Sequence, residues 1–350
     1  MTLGPSARAP QSVILWLVVM IAMIFAMVVI GGVTRLTQSG LSMVDWRPIM
    51  GIIPPLSTEE WQAAFNAYKA YPEYKALNYG MTLAEFKGIF LMEYAHRVWG
   101  RMIGIAFIVP YVWFMISGSV RGGFALRLGA VLLLGAAQGV LGWVMVKSGL
   151  VDDPSVSPYR LAAHLSLALV LAAILLWMVL NRVNAPVSIH PDARRRATAP
   201  LHLALTLAVL TVLTGAFVAG LDAGMTYNTF PLMDGRLVPD GLLALEPIWR
   251  NPFENVAMVQ FNHRLLGILT MLAALALWLR SRGTHLPPRL RLTVNLIGLM
   301  ALVQPGLGIA TLLLAVPVGL AAVHQAGAMV LLGLLIWLLH TLRRSPGSLD

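Results

Sequence analysis

The sequence contains no cysteine among its 350 residues. That excludes structural disulfides, thiolate-ligated metals, iron–sulfur clusters and cysteine nucleophiles. Charge is scarce as well: 11% of residues are charged against 58% hydrophobic, and the mean hydropathy is +0.76. A soluble domain needs more charge than this to cover its surface, so the composition is that of an integral membrane protein. No hydrophilic block is long enough for a separate soluble domain. What is present is a series of apolar stretches, each able to cross roughly 30 Å of hydrocarbon. They fall at about 12–33, 88–117, 129–147, 159–180, 202–221, 256–279, 293–315 and 319–340. The first of these exceeds a cleavable signal core and is expected to be mature structure.

The formal net charge of +10 invites a nucleic-acid reading, but its distribution argues otherwise. With the N-terminus inside, the inner segments hold Arg8, Arg121, Arg127, Arg182, Arg194 to Arg196, Arg280, Arg282, Arg289, Arg291, Arg343 and Arg344. Against those thirteen stand two acids, Asp192 and Asp350, and the remainder of the chain carries twelve basic and thirteen acidic residues. This is the positive-inside pattern. It predicts a multi-pass protein of the cell inner membrane with both termini cytoplasmic, whose charge serves the lipid bilayer and no nucleic acid.

The second half repeats the first. Gly31, Gly40, Gly51 and Pro55 return 184 positions later as Gly215, Gly224, Gly235 and Pro239; His96-Arg97 returns 167 later as His263-Arg264. Gly139 recurs at Gly306 with the same 167 offset, and His164 at His324, 160 later. Four spans per repeat bring both halves into the membrane from the same side. The expected fold is therefore all-α, with eight transmembrane helices in two four-helix bundles related by a pseudo-twofold along the membrane normal. The division is 1–182 and 183–350. A long outer loop over 34–87 has a surface helix opening at Ser57, where Ser57 and Glu60 have capping-box spacing. Residues 222–255 form its shorter counterpart.

Of eight histidines, His190, His202, His285 and His340 lie in inner loops or at inner helix ends, where a solvated or interfacial role suffices. His96, His164, His263 and His324 lie inside the second, fourth, sixth and eighth spans, one to two turns from the outer end. A single membrane histidine can simply bond two helices together. Four at matched depth, duplicated as pairs, are not required by packing, and each costs free energy in hydrocarbon. Two histidines facing across a bundle make the axial ligand set of a six-coordinate heme. Zinc fits less well, because no carboxylate or thiolate cluster completes either pair. The expected pairs are His96 with His164 and His263 with His324. Arg97 and Arg264 follow two of these ligands and suit a propionate, or else snorkel to the interface.

The halves differ at one position. Glu93 lies one turn before His96, and its repeat equivalent is Gln260, which cannot ionise. An intramembrane carboxylate in one copy alone suggests that one site carries an acid–base or charge-stabilising group and the other transfers electrons. A structural Glu93, bonded to backbone or to Arg97, is the alternative.

At these residues the chain resembles the heme A synthase family. The motifs are Gly31-Gly-Val-Thr-Arg-Leu-Thr-Gln-Ser-Gly-Leu-Ser, Glu93-Tyr-Ala-His96-Arg97, Gly220-Leu-Asp-Ala-Gly with Tyr227-Asn-Thr-Phe-Pro-Leu-Met-Asp, Phe261-Asn-His263-Arg264, and His324-Gln. Lacking the outer-loop cysteine pair of some bacterial members, it resembles the cysteine-free branch shared with mitochondrial enzymes. The resemblance implies oxidation of the C8 methyl of heme O to a formyl group, giving heme A for cytochrome oxidase. It implies a resident heme b on His263 and His324, with substrate heme O on His96 and His164 and Glu93 as the catalytic carboxylate. It also leaves room for partners, a heme O synthase and an electron donor. Two other classes stand beside it: a bis-His diheme electron-transfer cytochrome, and a heme transporter or chaperone.

Overall fold

The computed structural model describes residues 10–44, 53–149 and 156–345. Arg8, Gly51 and Asp350 lie outside the described residues. Among the described residues eight helices are long and apolar enough to cross a membrane: α1 (Gln11–Leu36), α4 (Leu83–Ile116), α5 (Gly122–Gly149), α6 (Pro158–Val183), α7 (Pro191–Gly220), α9 (Val256–Ser281), α10 (Pro288–Leu313) and α11 (Val318–Arg344). The described loops hold three shorter α-helices: α2 (Thr58–Lys69), α3 (Pro72–Ala76) and α8 (Asn251–Glu254). No strand forms among the described residues. The protein is an all-α, multi-pass membrane protein.

The capping box expected at Ser57 opens α2: the Glu60 N–H donates to Ser57 Oγ at 3.1 Å, and the Ser57 N–H donates to Glu60 Oε2 at 3.3 Å. A second box, Thr82 with Glu85, starts α4 five residues before the apolar stretch that marked it in sequence. The extra turn has a packing reason. Phe86 and Phe90 bury against Trp61, Phe65 and Tyr68 of α2, with Phe65 and Phe86 stacked at 5.0 Å. Aromatic contacts of this kind stabilise by about 0.5–1.5 kcal/mol beyond the area they bury. His96 consequently stands thirteen residues into its helix, whereas His164, His263 and His324 stand six or seven in. The expectation of one to two turns holds for those three and not for His96. At the other end, Arg194 to Arg196 belong to the first turns of α7 and not to a loop; Arg196 Nε pairs with Asp192 at 2.8 Å.

Each half builds an apolar core from its own four long helices. In the first half Val13, Leu17, Met20, Phe107, Leu128 and Leu175 are among its members. In the second, Leu201, Leu277, Ile297 and Leu335 are fully buried. Both cores gather toward the helix ends opposite the four histidines: Phe107 follows His96 on α4, and Leu171 follows His164 on α6 by about two turns. The helix neighbours correspond between halves. The pairs α1–α4, α5–α6 and α1–α6 match α7–α9, α10–α11 and α7–α11, while α1–α11 and α6–α7 join the halves. The second half is the more tightly packed: α9 lies closely along both α7 and α10, whereas its counterpart α4 packs less on α1 and meets α5 only sparsely.

Polar links also cross between halves. Arg35 pairs with Asp222 at 2.8 Å, and Tyr159 donates to Glu254 at 2.9 Å. His340 is fully buried, with Nε2 3.0 Å from Asn181 Oδ1 and its ring edge-on to Trp177. The sequence reading made it a solvated or interfacial residue. The packing of α11 against α6 overturns that, because the face of α11 carrying His340 is the one turned to the neighbouring half. His190, His202 and His285 are exposed, as expected.

Candidate functional site

Four glycines share one relationship with the four histidines. A Cβ placed on Gly31 of α1 would lie 3.2 Å from His96 Nε2 on α4. On Gly142 of α5 it would lie 3.0 Å from His164 Cε1, on Gly215 of α7 3.0 Å from His263 Cε1, and on Gly308 of α10 2.8 Å from His324 Cε1. Each imidazole therefore lies against bare backbone of the adjacent helix, at a separation that a side chain would disturb. His96 and His164 lie within electrostatic range of each other, as do His263 and His324. The rings are half-buried, in the part of each half that the apolar core does not fill.

Their nitrogens are held unequally. His263 Nδ1 is 3.1 Å from the Thr211 carbonyl and 3.1 Å from Thr214 Oγ1. His324 Nδ1 is 3.2 Å from Gln304 Nε2, which also donates to the His324 carbonyl at 2.7 Å. His263, whose Nδ1 can donate to the Thr211 carbonyl, keeps Nε2 as the nitrogen free to ligate, the usual arrangement of a metal-bound histidine. At His324 the partner of Nδ1 is an amide N–H donor, and the contact fixes the position of the ring without setting that tautomer. In the first half Gln138 donates to the His164 carbonyl at 2.9 Å, while His164 Nδ1 is buried without a partner. Gln138 and Gln304, like Gly142 and Gly308, are 166 apart. The contacts thus set the α5–α10 register at 166, one residue off the Gly139–Gly306 correspondence read from sequence. Among the described residues no group of three His, Asp or Glu side chains could hold a bare metal ion. A pair of axial imidazoles per half, beside glycine and away from the filled core, fits heme.

Glu93 is buried, 1% exposed, and its carboxylate is fully engaged. Oε1 pairs with Arg97; Oε2 accepts from Ser42 Oγ at 2.8 Å and from the Met43 N–H. Arg97 also donates to the Met43 carbonyl at 2.8 Å. Gln260 and Arg264 grip the loop between α7 and α8 similarly. Gln260 Nε2 donates to the Ala223 carbonyl at 2.7 Å, Arg264 Nη2 donates to Gln260 Oε1 at 2.9 Å, and Arg264 reaches the Thr229 and Tyr227 carbonyls. The halves differ in polarity: the first loop presents donors to Glu93, and the second presents carbonyls to Gln260. Both arginines hold loop backbone, which is a third role beside the propionate and snorkelling readings.

A second carboxylate went unnoticed in the sequence. Glu73 of α3 is 4% exposed and accepts from Tyr68 Oη at 2.9 Å, and Tyr68 in turn accepts from Asn78 Nδ2 at 2.7 Å. Burial pushes the Glu73 carboxyl up to about 7; the Tyr68 hydrogen bond and Arg35 pull it down and Glu93 adds to the rise. An open cleft of about 670 Å³ runs from Thr37 and Ser39 to Asn78 and Met92. None of the four histidines lines it.

The chain also matches known proteins along nearly its whole length. The family model of the cytochrome oxidase assembly protein, COX15-CtaA, matches residues 14–336. A heme A synthase of Paramagnetospirillum magneticum is 49% identical, covering 96% of this chain and 95% of the relative. One from Nitrosospira multiformis is 48% identical over 95% and 94% of the two chains. The heme A synthase COX15 of Bos taurus is 47% identical over 98% of this chain and 84% of its own.

Proposed function

The chain belongs to the cytochrome oxidase assembly family of heme A synthases, and we propose that it oxidises the C8 methyl of heme O to a formyl group. Written with water as the oxygen source, the methyl carbon gains one oxygen and releases four electrons and four protons. The observation that carries the site assignment is the fourfold contact of histidine with glycine, because it recurs in both halves and, among the described residues, at no other histidine. On this reading His263 and His324 hold heme b, whose one-electron chemistry would drain electrons from the reaction. His96 and His164 hold the substrate heme O. The Nδ1 anchors favour this division: the resident pair has both rings fixed by Thr211, Thr214 and Gln304, whereas His164 Nδ1 stays unpartnered in a half that must exchange its ligand.

The chain's own groups then have separate tasks. Glu93 places a negative charge one turn from His96, where oxidation of the methyl group builds positive charge. Ser42, Met43 and Arg97 fix the orientation of that carboxylate. Arg97 and Arg264 hold the outer loops over the two sites. The matching helix neighbours and separate cores support two four-helix bundles, 1–182 and 183–350, about a pseudo-twofold. The arginine asymmetry supports an inner-membrane location with both termini cytoplasmic. Delivery of heme O by a heme O synthase and removal of electrons by a membrane carrier complete the scheme.

The test is co-expression with a heme O synthase, followed by chromatography and mass analysis of extracted hemes. Heme A together with heme B is the expected result. Heme B alone would mean a diheme electron-transfer cytochrome.

A further inference from the structure

His324 is followed by Gln325, and that side chain leaves its own half. Gln325 Nε2 donates to the Val28 carbonyl of α1 at 3.2 Å. Its other amide atom, Oε1, occupies the place where Gly32 lacks a side chain: a Cβ there would stand 1.9 Å from it. Gly31, the neighbouring residue, is the one whose bare backbone faces His96. Two consecutive glycines on α1 therefore receive one group from each half, an imidazole on one side and an amide on the other. The counterpart junction lacks this device. The positions matching Gly32 and Gln325 in the repeat are Ala216 and Leu165, and α6 meets α7 through apolar and backbone contact at Pro158 and Gly220.

We infer that Gln325 is a positioning residue that ties the helix bearing His324 to the glycine face of α1 against which His96 sits. The inference rests on the reading that each histidine pair holds a heme. The tie fixes the spacing of α1 and α11, and with it the room beside His96. It works in one direction of the twofold only, from the resident pair toward the substrate pair.

The absence of cysteine permits a test that needs no heme. Ala22→Cys on α1 and Val330→Cys on α11 carry spin labels, and their separation is measured by pulsed electron resonance in the intact protein. It is measured again with Gln325→Leu, with Gln325→Glu, which keeps the length but cannot donate to Val28, and with Gly32→Ala, which displaces the amide from the opposite helix. Each variant is expected to broaden the label distance. In the heme-loaded protein each is expected to shift the low-spin signal that His96→Ala removes and to raise the KM for heme O several-fold. The signal that His263→Ala removes should stay in place. Gly32→Ala with Gln325→Leu should do no more than either alone, since both break one contact. Unchanged label distances and an unchanged His96-dependent signal would overturn the inference, and so would additive effects in the double variant. Broadened distances in a protein with no His96-dependent signal would leave the tie standing and refute the two-heme reading.

Discussion

The hydroxyl of Ser42 donates to Oε2 of Glu93 at 2.8 Å, joining the loop after α1 to the middle of α4 across fifty-one positions of sequence. Ser42 is 1% exposed and Glu93 equally buried, so the bond is closed to water. Together with Met43 and Arg97 it surrounds the carboxylate with donors alone.

Glu93→Gln is therefore expected to lower heme A formation and also to loosen the fold. The second repeat carries Gln260 at the equivalent place, which would suggest that an amide is tolerated there. Gln260, however, donates to two carbonyls, whereas a glutamine at 93 would turn its NH2 toward a donor. Leaving a buried donor unpaired costs about 1–3 kcal/mol. Chromatography of extracted hemes should show heme O or a hydroxylated intermediate accumulating, with a lowered Tm in the same preparation. Full heme A yield would remove Glu93 from the chemistry.

His263→Ala and His324→Ala should each abolish the low-spin spectrum of the resident heme b while heme O binding at the other pair persists. An unaltered low-spin spectrum in both variants would refute the C-terminal assignment.

Added methyl groups at the four glycines should act site by site. Gly308→Ala, with its Cβ 2.8 Å from His324, should reduce heme b content, and Gly142→Ala, 3.0 Å from His164, should reduce heme O retention instead. Gly31→Ala, at 3.2 Å, should be the mildest. Quantified pyridine hemochromes of the purified variants decide it. Equal loss of both hemes in every variant would mean that the glycines serve helix packing in general.

Glu73 supplies a dependence on pH. Its carboxyl is raised from 4.5 to about 7 by burial, so the folded protein holds the proton more tightly than the unfolded chain. The neutral form is favoured in the fold, and that contribution is full below pH 4.5 and fades as pH rises through about 7. The groups that face it are Tyr68, Glu93 and Arg35. Tm measured between these limits should fall with pH in the parent protein and fall less in Glu73→Gln. Parallel curves would place the titration elsewhere.

Much of this was legible in the sequence, for stated physical reasons. Apolar length gave all eight spans, since hydrocarbon thickness leaves few alternatives, and Ser57 with Glu60 gave the start of α2. The histidines and the Glu93–Gln260 contrast stood out because polar groups are rare in such stretches. What escaped notice depends on side chains meeting across helices. Thr82 with Glu85 carried a readable cap, but the apolar stretch masked it. His340 read as interfacial because its partner Asn181 lies 159 positions away. Glu73 carries no sequence signal of burial, because only the folded aromatic cluster of α2 and α4 buries it. Gln138 and Gln304 are ordinary polar residues until their bonds to the histidine carbonyls reveal the register.

The two apolar cores, gathered at the helix ends away from the histidines, amount to an insulator beneath the working half of the molecule. Leucine, isoleucine, valine and alanine packed together form a low-dielectric slab, and ions and protons cross such a slab only at high cost. Protons freed at the histidine level would leave toward the loops at that end of the helices, while electrons, which need no aqueous path, remain free to go sideways or across. The packing thus makes the molecule one-sided: chemistry at the histidine level would not open a proton leak through the rest of the membrane.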